Sequence, residues 1–187
     1  APLEDAGFHL IDTSVQLNRP ASGDWPSESL PGGYQLRFAQ PEDRLAVEHV
    51  AGSTIVFTRI HLAPKIPNAI ADRLKADWAG NYFVGQRGDS MVVAIHDRKP
   101  IGFLQLVSNE SGLVIDLIAV EKSHQGLGIA SSMIVFAVRN CEPLKKTVLV
   151  GTQVANIPSL RAYEKKVLRV CGSQYVFHYH GSVAALM

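Results

Sequence analysis

The chain has 187 residues, 47% of them hydrophobic, with a mean hydropathy of +0.08 and 18 Lys and Arg set against 17 Asp and Glu. That is enough apolar material for one domain with a sizeable core, and the formal net charge of +1 supplies no broad field for nucleic acid or an anionic membrane. Cys141 and Cys171 alone build neither a disulfide framework nor a metal site, and no apolar run reaches the roughly 18 residues of a membrane span, so the expectation is a cytoplasmic protein.

The chain opens on APLEDAGFHLIDTSVQL, a phrase of mid-domain character, and further sequence upstream of Ala1 is expected. Phe8 to Leu17 alternates loosely as a strand does, and RPASGDWPSESLPGG after it has no helical or strand period. Residues 1–33 therefore read as an N-terminal strand and linker, the remnant of an upstream region, and 34–187 as the main domain. Tyr34 to Ala39 alternates as a strand; PEDRLAVEHVAG reads as a helix whose first turn carries Pro41, Glu42 and Asp43, suited to the positive helix start. Asn68 to Trp78 places Ile70, Leu74 and Trp78 on one stripe and predicts a second amphipathic helix, reached through the loop TRIHLAPKIP.

Three β-rich runs follow, SMVVAIHD, PIGFLQLVSN and GLVIDLIAV, separated by the turn signals DRKP and NESG, and an antiparallel meander is the simplest arrangement. IASSMIVFAVRN is apolar nearly all round, as a helix buried against a sheet would be. TVLVGTQV reads as a buried strand, NIPSLRAYEKKV as a helix with Pro158 in its first turn, and SQYVFHYHG as a last strand. The fold class expected is mixed α/β.

The stretch HQGLGIASS, His124 to Ser132, joins the meander to the apolar helix. A helix start leaves N–H groups without intrahelical partners and carries a partial positive charge, so it holds an anion where the backbone can approach. Gly126, Gly128 and Ala130 remove side chains that would obstruct that approach, and Ser131 and Ser132 add hydroxyls; the plainer reading is a glycine-eased turn with close helix packing. No Lys follows the glycines as a Walker loop needs, and Ser131 stands where a dinucleotide fingerprint needs its third glycine.

Gln125-x-x-Gly128-x-Ala130 after LIAVEKSH resembles the Q/R-x-x-G-x-G/A signature of the GNAT superfamily of N-acetyltransferases. Asn156 and, seven residues on, Tyr163 in NIPSLRAYEKK resemble a second segment of that family, and the likeness runs from about Tyr34 to the end. GTQVANIPSLRAYEKK, the opening LEDAGFHLIDTSVQL and STIVFTRIHLAPKIPNAIADRLKADWAGN are similar to the dTDP-fucosamine acetyltransferase type, which acts on a nucleotide-linked amino sugar. The resemblance implies a central, mostly antiparallel sheet flanked by helices, with strands splayed at an acetyl-CoA site. It implies that the backbone of Gln125, Gly126, Leu127, Gly128, Ile129, Ala130 and Ser131 holds the coenzyme diphosphate. Ile118, Ala119 and Val120 would pair with the pantetheine arm, and Asn156 would contact it.

What this implies chemically is direct attack by a small-molecule amine on acetyl-CoA, with no metal and no side-chain nucleophile. Tyr163 would act as general acid for the departing thiol, phenol and thiol having ordinary pKa values of about 10 and 8.5. Helical spacing with Leu160, Glu164 and Val167 also fits Tyr163 as a core aromatic. Asp116, an acid on an apolar strand, reads either as a base or amine ligand or as a strand Asp satisfied by its surroundings. His61 reads as an acceptor ligand or a solvated loop residue. Arg161, Lys165 and Lys166 read as a solvated helix face or a cationic rim. His178 and His180 share a strand face but lack the spacing of a zinc set. The acceptor alternatives are a protein N-terminus or another small metabolite, and the non-enzymatic alternative is an acyl-CoA-binding module. Open strand edges are compatible with a homodimer, and no nucleic-acid or membrane partner is expected.

Overall fold

The structure is a computed structural model and describes residues 2–27, 30–110, 112–141, 147–165 and 168–179. A short helix α1 (Pro2–Asp5) precedes strand β1 (Phe8–Pro20) and strand β2 (Tyr34–Phe38). A 3-10 turn (Pro41–Asp43) leads into α2 (Arg44–Thr54) and α3 (Asn68–Gly80). The meander is β3 (Ser90–His96), β4 (Lys99–Asn109) and β5 (Gly112–Val120), followed by α4 (Ile129–Asn140), β6 (Thr147–Gln153), α5 (Ile157–Glu164) and β7 (Arg169–Tyr179). His180, Lys166 and Val167 fall outside the described residues, whereas His178 lies on β7.

Seven strands form one sheet in the order β2-β3-β4-β5-β6-β1-β7. Every neighbouring pair is antiparallel except β5 beside β6, so the architecture is the mixed α/β fold expected. The β3–β4 hairpin closes through Asp97 and Arg98, both at positive φ (47° and 65°), in the manner of the two-residue turns that match strand twist. Met91 to Ile95 are all buried because helices cover both faces of that strand. On one face α2 supplies Val47, Val50 and Ala51 against Met91, Val93, Phe103 and Leu117. On the other, Ile129, Met133 and Ile134 of α4 pack against Val92, Leu104, Leu106, Ile115 and Val150.

Two details differ from the sequence pattern. The first turn before α2 does more than complement a helix start: the Asp43 carboxylate is buried, accepts 2.6 and 2.8 Å hydrogen bonds from the Arg37 guanidinium and a third from the Gln40 amide, and ties β2 to α2. On α3 the buried stripe is Ala71, Lys75 and Ala79, while Ile70 is 58% exposed. The predicted stripe through Ile70, Leu74 and Trp78 is thus offset by one residue. Close packing of α2 on α3 favours small side chains there; a Cβ on Gly52 would sit only 3.2 Å from the Asp72 carbonyl oxygen and 3.4 Å from Ala76.

β1 occupies an inner position, paired with β6 over Ser14–Pro20 and with β7 over Phe8–Asn18. Leu17 at its centre is fully buried, and the aperiodic stretch after it is anchored by Trp25, which is buried and donates its indole N–H to the Ala21 carbonyl at 3.0 Å. Leu17→Ala is expected to cost about 2–5 kcal/mol. Urea unfolding followed by circular dichroism checks this, and the loss should appear as a shifted midpoint of one cooperative transition.

Candidate active site

The site begins where β5 and β6 part. They pair only through Leu113–Ile115 and Val148–Val150, after which Asp116 forms the extra residue of a bulge opposite β4, where Leu106 faces Ile115 and Gln105 faces Leu117. Beyond the bulge β5 remains bonded to β4 alone. Glu121 donates its N–H to the Ile101 carbonyl, so alternation along an antiparallel ladder turns the backbone of Ala119 toward Phe103 and leaves that of Ile118 and Val120 facing the gap. Ala119 therefore meets the gap with its side chain and not with its N–H and C=O.

The Val120 carbonyl is already engaged: Gln125 donates its side-chain amide to it at 2.8 Å and so pins the loop before α4 to the end of β5. Gly126 and Gly128 then take φ of 80° and 79°, a left-handed conformation that side chains other than glycine's resist. Gly128 is the N-cap of α4, no side chain caps that helix, and its first helical hydrogen bond runs from the Ser132 N–H to the Gly128 carbonyl. The N–H groups of Ile129, Ala130 and Ser131 thus project from a bare helix start, as an anion site needs.

A cleft of about 630 Å³ opens in front of them. Ile118, Ala119 and Val120 form one wall and Gln125, Gly126, Gly128, Ile129, Ala130 and Ser131 another. Leu127, 44% exposed, is not part of the lining. Asn156 and Tyr163 complete it from α5. Asn156 is the N-cap of α5: its Oδ1 accepts from the Ser159 N–H at 3.3 Å and its Nδ2 donates to Thr152 Oγ1 at 3.2 Å. That leaves one amide hydrogen and one lone pair for a ligand. Tyr163 is 4% exposed, so it is both a core aromatic and part of the cleft wall, and burial holds its phenol well above the ordinary value despite a hydrogen bond with Ser159. It keeps its proton throughout the neutral range.

Lys122, Arg161 and Lys165 stand at the rim, and the end of α2 with the loop after it, Thr54 to Phe57, closes the opposite mouth. His124 also lines the cleft; it is held by the Tyr34 hydroxyl at 2.7 Å, whose ring stacks on His96 with centroids 4.3 Å apart. The position of His124 one residue before Gln125 was the available signal for it.

Asp116 and His61 are not brought to this cleft. Asp116 accepts a bidentate pair from Arg87 (2.7 and 2.8 Å) and a further bond from Gln105 Nε2 (2.9 Å), so its oxygens are committed and the reading of a satisfied strand Asp prevails over that of an amine ligand. The His61 side chain is 5% exposed and held at both nitrogens, Nδ1 by Thr58 Oγ1 at 2.6 Å and Nε2 by Asp72 at 2.9 Å, which fastens the α2–α3 loop to α3 instead of leaving a solvated imidazole.

Periodicity gave no warning of Lys75. It is 6% exposed, and its ammonium lies 4.0 Å from the centre of the Trp78 ring. Burial, with the charges of Arg87 and Arg59, lowers its pKa to about 8 against the pull of Asp116. Between about pH 8 and 10.5 the unfolded chain binds a proton that the folded chain does not, so stability rises with pH across that window, and below it the cost of burying the charge is fully present. Lys75→Met is expected to stabilise the protein by about 1–3 kcal/mol at pH 7 and to remove that rise. Chemical denaturation of both proteins at pH 7, 8.5 and 10 reads the difference.

The fold is that of known acetyltransferases. A GCN5-related N-acetyltransferase from Sphaerobacter thermophilus superposes with a TM-score of 0.64 at 16% identity, over 95% of this chain and 54% of its own. A functionally unknown conserved protein from Staphylococcus epidermidis gives 0.69 at 15% identity, over 94% and 64%. The sequence places the chain more narrowly. The Acetyltransferase (GNAT) family matches residues 58–167, more than half of the chain, which belongs to that family. SpsD, a spore coat polysaccharide biosynthesis protein of Bacillus subtilis (strain 168), is 28% identical over 171 residues, covering 91% of this chain and 58% of SpsD. The chain thus spans less than two thirds of the length of these relatives. Among the described residues, no helix is long and apolar enough to cross a membrane.

Proposed function

We propose that this chain transfers the acetyl group of acetyl-CoA to the primary amine of a nucleotide-linked amino sugar, within a catalytic unit of residues 34–187 to which 1–33 contribute strand β1. The observation that carries the reading is the convergence, in one cleft, of a bare helix start, the backbone N–H groups of Ile118 and Val120 turned away from β4, and a buried phenol. Likeness to a polysaccharide biosynthesis protein supports a sugar acceptor.

The residues present fit the cosubstrate. The diphosphate suits the N–H groups between Gly126 and Ser131, with Lys122, Arg161 and Lys165 adding cationic charge at the rim. When bound, acetyl-CoA supplies an acetyl group activated as a thioester. The N–H groups of Ile118 and Val120 orient the pantetheine and polarise the acyl carbonyl, and Asn156 holds the arm with its remaining amide hydrogen. Tyr163 holds a proton at Oη for the departing sulfur. Such a transfer runs uphill to a thiolate in water, but the same burial that raises the phenol also raises the basicity of a thiolate leaving inside the cleft. With Asp116 and His61 already committed, the amine arrives neutral and releases its proton to solvent, from which Tyr163 recovers the proton it gave to the sulfur.

Thiol release from acetyl-CoA, measured against dTDP-linked amino sugars, free amino sugars and peptides with free N-termini, tests the proposal. Turnover of the sugar nucleotides is expected, and Tyr163→Phe should lower kcat about 10²–10⁴-fold with coenzyme A affinity little changed. A near-normal rate in that variant removes the acid role. Turnover of peptides alone replaces the acceptor, and binding of acetyl-CoA without transfer to any amine leaves a binding module.

A further inference from the structure

We propose that Lys75, Arg59 and the Arg87–Trp78 pair form a second anion-binding subsite that takes an acidic group, phosphate or carboxylate, carried by the acceptor. That the ligand is the acceptor rests on the acetyl-transfer reading; the anion site stands on the cluster itself.

Lys75 lies on the buried stripe of α3 where Ala71 and Ala79 pack, yet among the described residues its ammonium makes no ion pair and no hydrogen bond; it faces Trp78, and Asp116, whose charge reaches it, is bonded to Arg87 instead. Arg87 lies over the same indole, 4.4 Å from its centre. The single acid of the cluster, Asp116, is consumed by Arg87, which commits only two of the five N–H groups of a guanidinium. Arg59 is close enough for its charge to act on Lys75. Two cations thus share one aromatic surface and one carboxylate, with the charge of Arg59 acting on the same ammonium, and a buried cation that forms no ion pair is a standing cost to the fold. An incoming anion removes that cost, so the cluster favours a ligand with negative charge near a ring that can lie on Trp78.

The cluster adjoins the cleft along two segments of chain. Arg59 follows Phe57, which lines the mouth, by two residues, and Asp116 precedes Ile118, which forms the wall, by two. An acceptor whose amine reaches the β5 gap can therefore leave its acidic end on the α3 side, away from the start of α4. Beside the cations Gln105 Oε1 is buried with no partner, a lone pair that suits a hydroxyl of the acceptor and not its anion, while the Nε2 of the same amide braces Asp116 against Arg87.

The test uses the intact chain and Lys75→Met, which removes the charge and keeps the length. Thymidine diphosphate, glucosamine 1-phosphate and L-glutamate are titrated by calorimetry, with saturating coenzyme A and again without it, and tryptophan fluorescence is followed in parallel. At least one probe is expected to bind the wild type in both series, to change the emission, and to bind Lys75→Met at least tenfold more weakly, with coenzyme A affinity the same in both proteins. Preference for the first two probes over glutamate identifies a phosphate source, and the reverse a carboxylate. Equal binding by the two proteins, or no binding of any probe to the wild type, overturns the proposal. Failure of the acetyl-transfer reading shows separately, as a wild type that binds these probes in a Lys75-dependent way but does not bind coenzyme A.

Discussion

Everything at the site depends on the short pairing between β5 and β6. Three residues of parallel ladder hold the two strands together, and then a bulge at Asp116 lets them separate. Backbone groups on an inner strand normally find partners in the sheet, so stations left open at Ile118 and Val120 must be served by solvent or by a ligand. Gln125 closes one of them from its own side chain and in doing so sets where the loop enters α4. The bare helix start and the open strand are therefore parts of one construction, fixed relative to each other by a single amide.

Around this, the faces of the sheet divide the labour. The α4 face carries the larger apolar core and the cleft, whereas the α2–α3 face carries the smaller one together with the polar cluster of Lys75, Arg87, Gln105 and Asp116. His61 joins the α2–α3 loop to α3 through Thr58 and Asp72, so the loop at the cleft mouth is fastened on the side where the cations lie.

Much of this was legible in the amino-acid order, and the reasons are local. Apolar runs with turn residues at their ends defined the meander; DRKP marked the hairpin; glycines at 126 and 128 marked the turn where only they tolerate the backbone. What periodicity missed was decided by partners far away in sequence. The α3 stripe moved by one residue because α2 requires small side chains opposite it, and that shift is what buried Lys75. Asp116 looked available because nothing in its own strand reveals Arg87, 29 positions upstream. The position of β1 between β6 and β7 could not be read from its pattern either, since alternation shows that a strand is half-buried and not which strands flank it.

That last placement has a consequence for how the chain is made. Strand β1, residues 8–20, is flanked by β7, residues 169–179, far downstream in the chain. At synthesis rates of roughly 5–20 residues per second it waits on the order of 8–30 s for that neighbour. Through that interval the edge of β1 that meets β7 lacks its partner, even once β6 has paired with the other edge, and a nascent polypeptide in this condition is a natural client for a holding chaperone until β7 emerges.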